Sequence, residues 1–211
     1  MEEAKVVSIN VGLPRTVEWR GQSVRTGIYK DPVLGRVVIR TLNIEGDRQA
    51  DLRVHGGEHK AIYGYPSEHY PFWRNEFPDL QMPYGMFGEN LTTEGLLEQD
   101  VFIGNRYRFG TAELTVTQPR MPCYKLALKF KRDDILKRFL ESRRTGFYFA
   151  VMKEGEAEAG TGLQLISKDP EEVSVRDITE LYLRKNTKPN LLERVLRLQS
   201  LPQNWIDHFL K

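Results

Sequence analysis

The chain contains 211 residues, of which 40% are hydrophobic and 28% are charged, and its formal net charge is +2. This composition is typical of a globular protein with a packed core, formed by one large domain or by one domain with a small annex. The balanced charge excludes any argument from bulk charge for binding to nucleic acid or to a membrane. Cys123 is the only cysteine, which excludes an intrachain disulfide and a cysteine-only zinc site and predicts a cytoplasmic protein.

The N-terminal stretch MEEAKVVSIN is acidic and then strand-like. It lacks the basic region and apolar core of a signal peptide. No apolar run in the sequence approaches the roughly 20 residues that a membrane helix needs. We therefore expect no membrane partner.

In chain order, the hydrophobic pattern first predicts short strands with glycines between them, then helices. The predicted strands cover 4–11, 17–20, 23–29, 36–42, 60–65, 85–91, 101–109, 112–117, 147–152 and 162–167. The predicted helices cover 67–77, 125–130, 133–144, 174–185, 190–199 and 202–211. Ser67 is a predicted N-cap, and two pairs have capping-box spacing: Asn190 with Glu193, and Ser200 with Gln203.

This order of elements predicts a mainly β, α+β fold. Many short strands with glycine punctuation favour a β-barrel or closed sheet, and the helices between strands are too few for a regular βαβ repeat. The period changes after Asp169-Pro170. We therefore predict a β domain over 1–166 and a three-helix C-terminal domain over 167–211.

The stretch TQPRMPCYKL surrounds Cys123 with features that suit a functional thiol. Pro119 and Pro122 restrict the backbone, and the positive charges of Arg120 and Lys125 would favour the thiolate. A thiolate can act as a nucleophile, a redox centre or a soft metal ligand, and the spacing does not choose among them. The alternative is a buried cysteine that serves as a small hydrophobic residue.

The stretch DLRVHGGEHKA, residues 51–61, combines adjacent glycines with basic side chains. The glycines let the backbone approach an anion, and arginine and lysine both suit phosphate. The side chains in question are Arg53, His55, His59 and Lys60. A glycine turn with solvated charges is the alternative. A zinc site is disfavoured because Gly56-Gly57 opposes a helix and Glu58 does not fit the HExxH pattern.

Two further stretches are weaker signals. In GMFGENLTTEGL, residues 85–96, Gly88 permits close backbone approach and Glu89 and Asn90 offer polar contacts to a heterocycle, although a simple turn is equally compatible. The C-terminal helical region carries many basic residues interspersed with acidic ones, which favours a solvated face over a nucleic-acid-binding module.

Taken in order, HGGEHKAIYGY at 55–65, GMFGENLTTEGL at 85–96 and QPRMPCYKL at 118–126 resemble the MOSC family, the molybdenum-cofactor sulfurase C-terminal-type domains. The match is closest to the YiiM-like branch, whose small α-helical domain the tail from about residue 167 resembles. The resemblance thus covers nearly the whole chain.

The resemblance implies a β-barrel that binds the pterin form of molybdenum cofactor (molybdopterin), with Cys123 ligating molybdenum or carrying sulfur. It further implies an oxidoreductase that reduces N-hydroxylated compounds such as hydroxylaminopurine bases. His55 or His59 would donate a proton to the departing oxygen. The residues expected to contact the cofactor are Arg53, Lys60, Gly88, Glu89, Asn90 and Arg120.

Two other functions stay open at this point: a sulfur carrier that holds a persulfide on Cys123 for cofactor maturation, and a non-enzymatic protein acting through its helical tail. For the reductase we expect a small-molecule substrate and a separate electron-donor protein, because the sequence has no GxGxxG fingerprint and too few cysteines for an iron–sulfur cluster. The oligomeric state is open, with a homodimer among the alternatives.

Overall fold

A computed structural model describes residues 4–50, 56–184 and 188–211 of the chain. Within these residues the fold is mixed α+β, with thirteen strands and six α-helices. The strands are β1 (Lys5–Val11), β2 (Arg15–Trp19), β3 (Gln22–Thr26), β4 (Asp31–Pro32), β5 (Val37–Arg40), β6 (Asn43–Ile44), β7 (Ile62–Pro66), β8 (Leu91–Glu94), β9 (Arg106–Phe109), β10 (Ala112–Pro119), β11 (Phe147–Lys153), β12 (Gly155–Ala157) and β13 (Leu163–Ser167). The helices are α1 (Tyr70–Glu76), α2 (Tyr124–Phe130), α3 (Ile135–Ser142), α4 (Val175–Tyr182), α5 (Leu191–Arg197) and α6 (Gln203–Phe209).

The main sheet has eight strands in the order β13-β9-β10-β11-β7-β8-β1-β4. Its neighbours pair antiparallel except for β7 and β8, which run parallel. The sheet curls until β1 reaches the start of β13, where Lys5 and Gly162 form an isolated bridge and the Leu163 N–H donates to the Ala4 carbonyl at 2.7 Å. This bridge does not extend into a ladder, so the predicted β-barrel is corrected to a curled sheet that is not closed.

Some helices and strands begin at other residues than the sequence pattern predicts, for reasons that their side chains explain. The strand predicted over 85–91 begins only at Leu91, because Gly85 and Gly88 have φ values of +85° and +80° and form turns. The predicted cap at Ser67 is wrong: Ser67 opens a short 3-10 turn and makes no capping hydrogen bond. A capping box occurs instead at the start of α4. There the side chains of Ser174 and Asp177 each accept the other residue's backbone N–H.

The three C-terminal helices pack on the sheet through one continuous apolar cluster. Val175 and Ile178 of α4, Val195 of α5 and Trp205 of α6 are buried together with sheet residues such as Val116. The Trp205 indole N–H donates to the Gln118 side-chain oxygen at 2.6 Å. The division into domains 1–166 and 167–211 stays a prediction, while these contacts fix α6 against β10.

A second, aromatic cluster lies beneath the segment that follows β7. The rings of Tyr65 and Phe87 stack at a centroid distance of 4.3 Å, and the Trp73 indole N–H donates to the Tyr65 hydroxyl at 2.6 Å. Phe130 of α2 and Phe139 of α3 complete this cluster. Among the described residues, no helix is long and apolar enough to cross a membrane.

Gly146 precedes β11 in a conformation that a side chain would disturb. Its φ is +61°, and an added Cβ would lie 2.4 Å from the Gly64 carbonyl oxygen and 2.8 Å from the Tyr63 ring. We predict that Gly146→Ala lowers the free energy of unfolding by about 3 kcal/mol, since backbone strain and overpacking add. The measurement is urea unfolding of the variant and the parent protein at constant m-value.

Gly21→Ala is the matched control. Gly21 has a similar φ of +73°, but an added Cβ would meet no atom within 4 Å. The control therefore carries the backbone strain alone, about 1 kcal/mol. Equal losses in the two variants would show that the close packing at Gly146 contributes nothing.

Candidate cofactor site around Cys123

Cys123 lies in the loop between β10 and α2. Its backbone is extended, with φ −125° and ψ 170°, and its carbonyl accepts the Leu126 N–H at 2.8 Å as α2 begins. The cysteine is partly exposed rather than sealed in the core. Its side chain contributes to the walls of two adjoining pockets. The alternative of a buried, purely hydrophobic cysteine is therefore not what the structure shows.

The first pocket, here called the basic pocket, is lined by cations and by backbone of the glycine-containing turns. Its cavity volume is about 90 Å³ among the described residues, which is small for a ligand pocket. Five of the residues predicted from sequence line it together: Lys60, Gly88, Asn90, Arg120 and Cys123. Lys125, whose charge was expected to favour the Cys123 thiolate, also lines the pocket. Further lining residues that were not predicted from the sequence include Lys30, Asp47, Arg48 and Tyr148.

Arg120 is buried in the wall of the basic pocket, and no carboxylate among the described residues pairs with it. Only 6% of the residue is exposed, and its guanidinium carbon lies 5.0 Å from the centroid of the Tyr63 ring. Within the described part of the chain its Nη1 atom has no hydrogen-bond partner. Burial alone would lower the pKa of Arg120, but Tyr63 and Tyr148 raise it above its usual value. The side chain is therefore a fixed positive charge with an unused donor.

Lys60 is the last residue of the HGGEHK segment and lines both pockets together with Cys123. It ends a 3-10 turn, Glu58–Lys60, that is held to β10 because the His59 carbonyl accepts the Thr117 hydroxyl at 2.7 Å and the Gln118 amide at 3.2 Å. Burial lowers the pKa of Lys60, and the nearby Cys123 opposes that shift. The electrostatic contact between amine and thiol is thus built by the fold, although the two residues are far apart in sequence.

Asn90 lines the basic pocket, and both the oxygen and the nitrogen of its side-chain amide are hydrogen-bonded. Its side-chain oxygen accepts the Tyr63 N–H at 3.1 Å, and its amide donates to Asp47 at 2.9 Å and to the Asn10 carbonyl at 3.3 Å. Asp47 in turn pairs with the buried amine of Lys30. Burial lowers the pKa of Lys30, and Asp47 opposes the shift. This network holds the floor of the pocket rigid.

Glu89 organises its own turn. It is fully buried, and its carboxylate accepts the Gly85 N–H at 2.7 Å, the Phe87 N–H at 3.0 Å and the Tyr70 hydroxyl. Behind this turn, Lys129 donates to the Gly85 carbonyl at 2.5 Å, and burial lowers the pKa of Lys129 to about 8. These bonds give Glu89 a structural task that its position in the sequence does not reveal.

The predicted site residues thus separate into three groups. Cys123, Lys60, Gly88, Asn90 and Arg120 converge on the basic pocket. Neither His59 nor Glu89 occurs among the described residues that line the two pockets, and the His59 side chain is exposed. Arg53 and His55 lie outside the described residues. In the part of the chain that the structure describes, no three His, Cys, Asp or Glu residues are grouped so that they could hold a metal ion.

The second pocket, here called the helical pocket, brings the C-terminal helices to Cys123. It shares Lys60, Met121, Cys123 and Tyr148 with the basic pocket. Its remaining walls are the end of β10, the loop that follows it, and four residues of α4 and α6: Tyr182, Asn204, Trp205 and His208. None of these four residues was predicted from the sequence. The available signal was the helical spacing that places Asn204 and His208 four residues apart.

Comparison with known proteins agrees with this arrangement. The family model described as MOSC domain matches residues 51–164. The protein YflK of Bacillus subtilis is 40% identical over 210 residues, covering 100% of this chain and 95% of YflK. Protein YiiM of Escherichia coli is 35% identical over 182 residues, covering 85% of this chain and 81% of YiiM.

A protein named "Reductase" from Gibberella moniliformis is 33% identical over 181 residues, which make up 84% of this chain but only 32% of that longer protein. Among solved structures, YiiM from Geobacillus stearothermophilus superposes with a TM-score of 0.82 at 34% identity, covering 98% of this chain and 97% of YiiM. The matched family model, the relatives and the shared fold lead to one conclusion: this chain belongs to the MOSC domain family, in its YiiM-like branch.

Proposed function

We propose that this chain is a molybdenum-cofactor-dependent reductase of N-hydroxylated compounds, such as hydroxylaminopurine bases, in which Cys123 ligates molybdenum. MOSC domains are associated with molybdenum cofactor, and one relative of this chain is named a reductase. The observation that carries the proposal is the basic pocket itself, where the partly exposed Cys123 shares a wall with the buried Nη1 of Arg120, which has no hydrogen-bond partner among the residues that the structure describes.

The residues of the basic pocket fit an anionic group that is coordinated through sulfur. A thiolate is a soft ligand. Soft sulfur ligands suit a metal that changes its oxidation state while it is bound through sulfur. Arg120 offers an unused donor from a rigid position, and Lys60 adds a second cation beside the thiol. Arg48 and Lys125 also line the pocket. Phosphate and oxo groups are the anions that such a set of donors binds.

The proposed reaction is R–NHOH + 2 e⁻ + 2 H⁺ → R–NH₂ + H₂O. When bound, the cofactor would supply the two-electron exchange. The chain itself would hold the anionic groups through Arg120 and Lys60 and keep the reacting centre beside Cys123. Proton delivery by His59, or by His55 outside the described residues, stays a prediction. The electrons would come from a separate electron-donor protein.

We predict that Cys123→Ala abolishes both molybdenum retention and the reduction of hydroxylaminopurine, with each falling at least about tenfold because the ligand is lost. The protein is purified from a host that makes the cofactor, its molybdenum is measured by elemental analysis, and turnover is followed with a reduced donor. Cys123→Ser is the control of matched size, and its harder oxygen should restore neither property.

The competing sulfur-carrier function gives a different result in the same samples. It predicts parent protein without molybdenum and with one extra sulfur on Cys123, detected by mass spectrometry. Unchanged molybdenum and turnover in Cys123→Ala would contradict both functions.

We predict that Arg120→Met weakens cofactor retention about tenfold while the cofactor-free protein keeps or gains stability. The reason is that no carboxylate in the described part of the chain pairs with the buried guanidinium. An apolar side chain of similar length therefore removes a desolvation cost in the empty protein but also removes the donor for the anion. The measurements are cofactor content after dialysis and the unfolding midpoint of cofactor-free protein.

Arg132→Met is the control, because Arg132 bonds Asp134 at an exposed position away from the pocket. It should leave cofactor retention unchanged. If Arg120→Met leaves cofactor retention unchanged, or lowers the unfolding midpoint of the cofactor-free protein, the role assigned to Arg120 is wrong.

A further inference from the structure

The helical pocket has no role in the binding of the cofactor as described above, yet it opens on the same cysteine. We propose that it is the subsite for the substrate, which holds a planar, uncharged heterocycle bearing the N-hydroxylated group between α4 and α6. This inference rests on the proposed function, since it names the part of the protein that would select the substrate of that reaction.

The walls of the helical pocket differ chemically from those of the basic pocket. Among its described lining residues, Lys60 is the one lysine, and no arginine or carboxylate contributes. The walls are aromatic and amide side chains instead, with the Tyr182 ring stacked on the His208 ring at a centroid distance of 4.9 Å and an angle of 24°. Planar bases bind to such surfaces by stacking, which needs no charge on the ligand. The basic pocket, in contrast, favours anions.

The amide of Asn204 can recognise the edge of the ring. Asn204 and His208 are four residues apart in α6, so they share one side of the helix. Asn204 is exposed and its amide makes no hydrogen bond within the described residues. An amide presents a donor and an acceptor side by side, which is the complement of the donor and acceptor atoms on a purine edge.

The wall that carries these side chains is fixed rather than loose. Trp205, next to Asn204, is buried, and its indole donates to Gln118, whose own amide donates to the His59 carbonyl. The position of α6 relative to the loop of Cys123 is therefore set by hydrogen bonds to β10. A ring seated in the helical pocket has its substituent directed to the shared wall, where Cys123 and Lys60 lie.

The first test is equilibrium binding of adenine, the product-type base, to the cofactor-containing protein, followed by tryptophan fluorescence. We expect saturable quenching that disappears in Trp205→Phe, because Trp205 lines the pocket. Tyr182→Ala and Asn204→Ala should each weaken binding about tenfold or more. Binding that is unaffected by both substitutions would overturn the subsite.

Gln203→Ala is the matched control. Gln203 neighbours Asn204 in α6, but its amide bonds Asp207 and does not line the pocket. It should bind adenine as the parent protein does. If Gln203→Ala and Asn204→Ala weaken the quenching equally, α6 is disturbed as a whole. That result would also contradict the proposal.

The second test separates this inference from the proposed function. With hydroxylaminopurine, Tyr182→Ala and Asn204→Ala should raise KM about tenfold without loss of molybdenum, while reduction of hydroxylamine, which has no ring, should be unchanged. If the parent protein reduces neither compound, the proposed function fails, whereas the adenine titration still decides on the subsite. If the parent reduces hydroxylaminopurine and the variants keep its KM, the subsite fails and the reductase stands.

Discussion

The side-chain amide of Gln118 joins the three parts of the chain on which both pockets depend. Its nitrogen donates to the His59 carbonyl and its oxygen accepts the Trp205 indole N–H. The residue is 2% exposed, so neither bond can be replaced by solvent without opening the structure. One buried amide therefore sets the distance of the Glu58–Lys60 turn and of α6 from the end of β10. Cys123 follows that strand end by four residues and takes its surroundings from both.

Among the described residues, two of the charged groups around the basic pocket are paired with other groups of the fold, whereas the charge of Arg120 is not paired with a carboxylate. Lys30 is buried against Asp47, and the Glu89 carboxylate is filled by donors of its own turn. Arg120 is buried as deeply but keeps a donor without a partner among the described residues. An unpaired buried cation costs stability, which is tolerated where a ligand supplies the missing partner. Lys30 and Glu89 thus have partners within the fold, whereas on the proposal above the anionic group of the cofactor would be the partner of Arg120.

The sequence predicted those features that depend on local pattern. Strand periodicity located β1, β10 and β11. Residues from the three motifs line one pocket, and their common role in a site stays a prediction. Features that depend on distant pairing were not predictable: whether β1 and β13 join into a closed barrel, and which helix face covers Cys123. Trp205 and Gln118 are separated by 87 residues, and no local pattern links them. Glu89 was assigned to the cofactor because a polar residue in a glycine turn looks the same whether it bonds a ligand or its own backbone.

The match to the MOSC family model ends at residue 164, before α4 and α6, the C-terminal helices that contribute to the helical pocket. Lys60, Arg120 and Cys123 lie inside the matched region, whereas Tyr182, Asn204 and His208 lie beyond it. On the proposals made above, Cys123, Lys60 and Arg120 of the matched region hold the cofactor, and the substrate is chosen by helices beyond the match. Substitutions in α6 can then alter which ring is accepted without disturbing the thiol or its cations. Under these proposals, cofactor binding and substrate binding meet at the shared wall around Cys123. Substitutions in that wall would therefore affect both.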